Sequence, residues 1–206
     1  MMRCFWLLAV LCLFLLPVQA FADSPRIYVS LSGGGVYPID NEAGLIDNLE
    51  LDSGGGFGGA VGLDYGQGRL ELEGFYRKSD VDEVELLGVD YNGNGEVKSF
   101  AMIANVIYTA DNPTIFHPFF LFGVGGATID LSKIAAGDIE VVDADDFQFA
   151  YQGGAGVEML LGESFRVGVE YRYFQIINEQ FKDGAGNKFD YGYRAHNALV
   201  SARLLF

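Results

Sequence analysis

The chain has 206 residues, enough for one domain of ordinary size, and its 28 acidic against 13 basic residues give a formal net charge of -15. That balance excludes nucleic acid as a partner, because binding phosphates takes a basic surface. The composition, 50% hydrophobic and 14% aromatic, excludes an acidic disordered chain.

The first element is a leader. Arg3 supplies positive charge, Phe5 to Leu16 is a short apolar core, and Ala20-Phe21-Ala22 offers small residues for cleavage. Residues 1–22 are expected to be a signal peptide and the mature chain to begin at Asp23. The apolar run is shorter than the roughly 20 residues of a spanning helix. Leu11 precedes Cys12 and apolar residues follow it, so no lipid anchor is expected. Both cysteines, Cys4 and Cys12, fall inside this leader, which leaves residues 23–206 without a thiol for a disulfide, a metal site or a nucleophile.

Beyond the leader no long stretch shows a helical apolar period, and the chain breaks into runs of roughly ten residues, the length of a tilted strand crossing a bilayer. The expected strands are Arg26 to Tyr37, Gly56 to Tyr65, Arg69 to Ser79, Val97 to Thr109, Phe119 to Asp130, Phe147 to Leu161, Phe165 to Phe174 and Tyr193 to Phe206. Gly66-Gln67-Gly68 and Gly162-Glu163-Ser164 read as tight turns, and Ala110 to Pro118 as a moderately short one. Pro38 to Gly55, Asp80 to Glu96, Leu131 to Asp146 and Gln175 to Gly192 read as long loops. Short turns on one side and long loops on the other is the pattern of a transmembrane barrel. The long loops hold most of the acid, including Asp40, Glu42, Asp47, Glu50 and Asp52, then Asp138, Glu140, Asp143, Asp145 and Asp146. An extracellular ligand at these acidic loops is one expected partner.

Alternation sorts the side chains into two faces. Val167, Val169, Tyr171 and Tyr173 oppose Arg166, Gly168, Glu170 and Arg172, while Leu70, Leu72 and Tyr76 oppose Glu71, Glu73 and Arg77. A soluble barrel would turn the apolar faces inward. The leader, the unequal loops, aromatics near strand ends and the terminal Phe206 favour the membrane solution, with outer-membrane lipids around the apolar face. The fold class is then all-β: an eight-stranded antiparallel transmembrane β-barrel of up-and-down topology over residues 23–206, in a bacterial outer membrane.

The segments Pro118 to Ile129, Phe149 to Glu158, Val169 to Tyr173 and Ala195 to Val200 before Phe206 resemble the small porin-like surface-antigen barrels, related in shape to OmpA and OmpX. Ser201-Ala202 departs from that pattern where a glycine is expected. The resemblance implies an architecture rather than a reaction. The closing strand with an aromatic final residue resembles the signal read by the barrel assembly machinery, which makes Phe206 the expected assembly signal and that machinery an expected partner.

With the apolar face outward, Asp64, Glu71, Glu73, Arg77, Glu158, Arg166, Glu170, Arg172 and Arg203 are expected to form an interior charge network. Burying such charges requires pairing, and Glu73 with Arg77, and Arg172 with Glu170 or Glu158, are the expected partners. An eight-stranded barrel is just wide enough for its own side chains, so the network reads as a plug rather than a pore. A narrow channel for ions or small apolar molecules is the alternative function, and a lipid-modifying enzyme the third. The enzyme reading rests on His196, one of 2 histidines, which parity with Phe206 turns outward. Outer-membrane lipid A deacylases place a serine two positions after such a histidine, and here that position is Ala198. No catalytic residue, resident metal or cofactor is therefore expected. Asp90-Tyr91-Asn92-Gly93-Asn94-Gly95 matches the opening of a calcium loop, but Ala101 stands where the closing bidentate acid belongs.

Overall fold

A computed structural model describes residues 24–39, 48–51, 53–86, 89–132, 147–177, 180–182, 188–190 and 193–206. Eight long strands form the wall: β1 (Arg26–Pro38), β3 (Gly54–Asp64), β4 (Gly68–Leu86), β5 (Val89–Thr109), β6 (Phe116–Ser132), β7 (Gln148–Leu160), β8 (Phe165–Ile176) and β11 (Arg194–Leu205). Three short strands lie outside it, β2 (Asn48–Leu51), β9 (Gln180–Lys182) and β10 (Lys188–Asp190). Each wall strand pairs antiparallel with its sequence neighbour, and β1 pairs with β11 from Tyr28↔Leu205 to Pro38↔Ala195, so the sheet closes on itself. The result is a closed eight-stranded up-and-down barrel. Closure leaves no free edge along the wall.

The turns at one end are made locally. Gly66 and Gly162 have φ of 90° and 97°, a left-handed conformation that side chains disfavour. Tyr65 N–H donates to the Gly68 carbonyl at 2.9 Å, and Leu161 N–H to that of Phe165 at 2.9 Å. In the third turn Asn112 accepts from Thr114 N–H at 2.8 Å and donates to the Phe116 carbonyl at 2.8 Å. This is the short-turn, periplasmic end.

The opposite end departs from the sequence expectation. Asp80 to Glu96 reads as a loop, yet β4 and β5 continue as a paired ladder to Leu86↔Val89 with one bulge near Val81/Glu83. The run Asp90 to Gly95 is part of that ladder, with Tyr91 opposite Val84, so its backbone is extended instead of wrapped around an ion. Likewise β2 pairs with β4 above the wall, and β9 with β10, inside segments read as loops. Residues 1–22 and the acidic residues at 40, 42, 47, 52, 138, 140, 143, 145 and 146 lie outside the described residues.

Parity assigns the faces. Leu31, Phe57, Val61, Leu72, Val124, Val169 and Val200 point outward and are exposed, whereas Tyr28, Glu73, Arg77, Asn105, Gln152 and Asn197 point inward and are buried. Small residues make room inside. A Cβ on Gly62 would meet the Tyr28 ring at 2.5 Å, and one on Gly58 the Phe75 ring at 2.5 Å. Large side chains of one strand thus lie over bare backbone of the next.

Candidate functional site: an ion-paired lumen

The lumen is filled in tiers. Nearest the short turns, Arg203 on β11 bridges two carboxylates, Nη1 to Asp64 on β3 and Nη2 to both oxygens of Glu158 on β7 at 2.7 and 2.8 Å. Arg69 on β4 gives Nη1 to the same Glu158 at 2.7 Å. The tier therefore ties four strands across the axis. Guanidinium is suited to this because its planar fork holds several donors in fixed directions, so one side chain reaches two carboxylates at once.

The middle tier is centred on Glu73. Arg172 donates to it from Nη1 at 2.5 Å and to Glu170 from Nη2 at 2.8 Å. Gln152 Nε2 and Asn105 Nδ2 donate to the other Glu73 oxygen at 2.8 and 3.1 Å. Asn105 also donates to Glu71 at 2.9 Å, and the Tyr28 hydroxyl donates to Glu71 at 2.8 Å. Every carboxylate here has at least one strong donor, which is the condition under which buried charge is tolerated.

The third tier is of a different kind. Arg77 is 1% exposed and its Cζ lies 3.8 Å from the Phe174 ring centroid and 4.5 Å from that of Phe75. Its Nε donates to Asn197 Oδ1 at 3.2 Å. Cation–π attraction replaces an ion pair here. The expected partnership of Glu73 with Arg77 is corrected: Glu73 meets Arg172, and Arg77 meets rings.

Arg166 is the other departure. It is half-buried at the short-turn end and donates to the Gly162 carbonyl at 3.4 Å, making no ion pair among the described residues. Asp64, Glu71, Glu73, Glu158, Glu170, Arg172 and Arg203 are gathered in the two ion-paired tiers. Arg69, Tyr28, Asn105 and Gln152 join them there, and Asn197 joins Arg77, although none of the five belongs to the charge network expected from the sequence. Their signal was parity: Arg69 shares a face with Glu71, Gln152 with Glu158, and Asn197 with Arg203.

On the outside, His196 lies in the aromatic row near the extracellular end. Its ring stacks on Tyr171 at 5.6 Å between centroids, and its Nδ1 is 2.5 Å from the Tyr171 hydroxyl. Ala198, directly opposite Tyr171, supplies no hydroxyl at the flank. No group of His, Cys, Asp or Glu able to hold a metal occurs among the described residues.

The family model for the outer membrane protein beta-barrel domain matches residues 8–206. The chain belongs to that family. Among solved structures it is similar to Neisserial surface protein A, with 13% identity over 87% of this chain and 97% of that one and a TM-score of 0.59. It is also similar to the outer membrane protein OprG from Pseudomonas aeruginosa, with 15% identity, 88% and 97% coverage and a TM-score of 0.58. Identities this low speak to the fold. No curated protein matches the chain in sequence. As a member of the outer-membrane barrel family the chain resides in the bacterial outer membrane, which it crosses with strands, so its outward apolar face meets lipid.

Proposed function

We propose that the chain is a non-enzymatic envelope barrel whose lumen is closed, serving outer-membrane architecture and surface interaction through its lipid-facing wall and extracellular hairpins. One observation carries this reading: the paired charges of Asp64, Arg203, Glu158, Arg69, Glu73 and Arg172 span the axis from several strands. The side chains that neutralise one another also occupy the path a permeant would take. The enzymatic alternative has less support, since His196 has Ala198 where a serine nucleophile would stand.

Planar-bilayer recording tests the closed lumen. The refolded protein should carry little or no steady current, and Glu73→Ala combined with Arg172→Ala should create or enlarge one. A large, stable wild-type conductance would move the reading to a channel. Phe206 is proposed as the assembly signal, its N–H already pairing with the Ile27 carbonyl at 2.9 Å across the β1–β11 seam. Phe206→Ala should lower the fraction of heat-modifiable barrel in outer-membrane fractions while export across the inner membrane continues.

A further inference from the structure

The plug does not reach the short-turn mouth of the barrel. Beyond the Arg203 tier lies an open vestibule of about 510 Å³, a volume within the range of small-molecule sites. Its charges fall into two sets. Asp64 and Glu158 on the wall are already engaged by Arg203, and Glu158 by Arg69 as well. Arg26 and Arg166 also line the vestibule, and among the described residues neither makes an ion pair. They come from β1 and β8, the two neighbours of β11, where Arg203 stands directly opposite Arg166. On β1 Arg26 lies beyond the Ser30 that faces Arg203, but its charge and that of Arg203 both act on Arg166, and of the three guanidinium groups only that of Arg203 has acids bound to it. Like charges so placed repel, and an anion shared by Arg26 and Arg166 relieves that repulsion.

Thr109 supplies an independent observation. It is 7% exposed, it lines the same vestibule, and its Oγ1 has no hydrogen-bond partner among the described residues. A buried hydroxyl without a partner is costly, and a ligand oxygen at the wall would satisfy it. The opposing charges are Asp64 and Glu158, already neutralised by Arg203 and Arg69, and Asp111 on the exposed part of the lining, where solvent and salt screen it as they screen the exposed Arg26.

We propose that this periplasmic vestibule binds an oxyanion, a carboxylate or phosphate group held by Arg26 and Arg166 with the Thr109 hydroxyl as a further donor. The group could be carried by a small anion free in the periplasm or by a phospholipid head in the adjoining leaflet. The proposal rests on the closed-lumen reading only in that the Arg203 tier forms the vestibule floor. Current and binding are measured separately, so either can fail alone.

The test is calorimetric titration of the refolded barrel in a phosphate-free maltoside detergent, at fixed ionic strength, with inorganic phosphate, with succinate and with phosphatidylglycerol in mixed micelles. Saturable binding is expected from at least one probe. It should weaken about tenfold in Arg26→Gln and in Arg166→Gln, and less in the near-isosteric Thr109→Val. Arg166→Lys, which keeps the charge but loses the fork, should fall between wild type and Arg166→Gln and serves if the glutamine variant does not refold. Binding of phosphate or succinate alone assigns the site to soluble anions, and binding of phosphatidylglycerol alone assigns it to a lipid head. No saturable binding of any probe, or binding untouched by both arginine substitutions, overturns the proposal.

Discussion

The inner and outer faces of the same strands obey opposite rules. Leu31 and Val200 are 71% and 63% exposed on the outside, while Arg77 and Glu73 are 1% and 2% exposed within. Relative to a protein in water the pattern is reversed, because the outward solvent is hydrocarbon and the inward surroundings are the protein's own polar groups. The faces also differ in how specific they are. Lipid asks of Val169 only that it be apolar, so depth in the bilayer sets the cost of changing it. Glu73 instead needs Arg172, Gln152 and Asn105 at bonding distance, so the identity of each partner matters.

The largest effect should come from breaking that inner specificity. Arg172→Ala leaves Glu73 and Glu170 without their cation and should cost about 3 to 5 kcal/mol, measured by urea unfolding in lipid vesicles. An unchanged midpoint would mean that water rather than pairing satisfies the lumen. On the outer face Val169→Arg should cost about 2 to 4 kcal/mol near the midplane, and Tyr171→Arg, nearer the extracellular interface, about 0 to 1. Equal costs at the two positions would contradict the assignment of that face to lipid.

Two adjacent glycines sharpen the same contrast. Gly58 points inward, where a Cβ would lie 2.5 Å from the Phe75 ring, and Gly59 points outward, where it would meet the movable Leu31 Cδ2 at 3.3 Å. Gly58→Ala should lose about 1 to 3 kcal/mol in the same unfolding measurement, with Gly59→Ala close to wild type. The smallest effect is expected beyond the wall's apolar band. Glu96 accepts from Lys78 at 2.5 Å and Lys98 at 2.9 Å, but all three are solvated, so Glu96→Gln should leave the unfolding midpoint within error, and all the more so at high salt.

The sequence displays this division of faces because a period of two is local: Val167, Val169 and Tyr171 against Arg166, Glu170 and Arg172 can be read without knowing any partner. The same locality places the tight turns at Gly66 and Gly162. Which charge meets which is not local, since it depends on the stagger between strands around the closed wall. Parity puts Glu73 and Arg77 inside, but stagger brings Glu73 to Arg172, 99 residues away, and Arg77 to Phe174. The extended β4–β5 ladder was hidden for another reason. Asp90 to Gly95 is rich in turn-forming residues and lacks apolar alternation, and its pairing is inherited from the strands below it. Arg166 shares the parity of the paired charges, and nothing in the sequence separates a cation at the vestibule wall from one in the tier above.

The seam between β1 and β11 has a consequence in time. Every other pair in the wall joins sequence neighbours, but this one joins the beginning of the barrel to its end, Val29 to Leu204 and Tyr37 to His196. Until the final strand has arrived, β1 and β8 each present an unpaired edge, a template for the wrong chain. Contacts this distant in sequence also form slowly, because the whole loop must be closed before they gain anything. A chain without β11, its last dozen residues, is therefore open to pairing with its own copies. A circular permutant opened at Gly66, with the present ends joined, would turn this seam into an ordinary hairpin and make β3 and β4 the pair that waits.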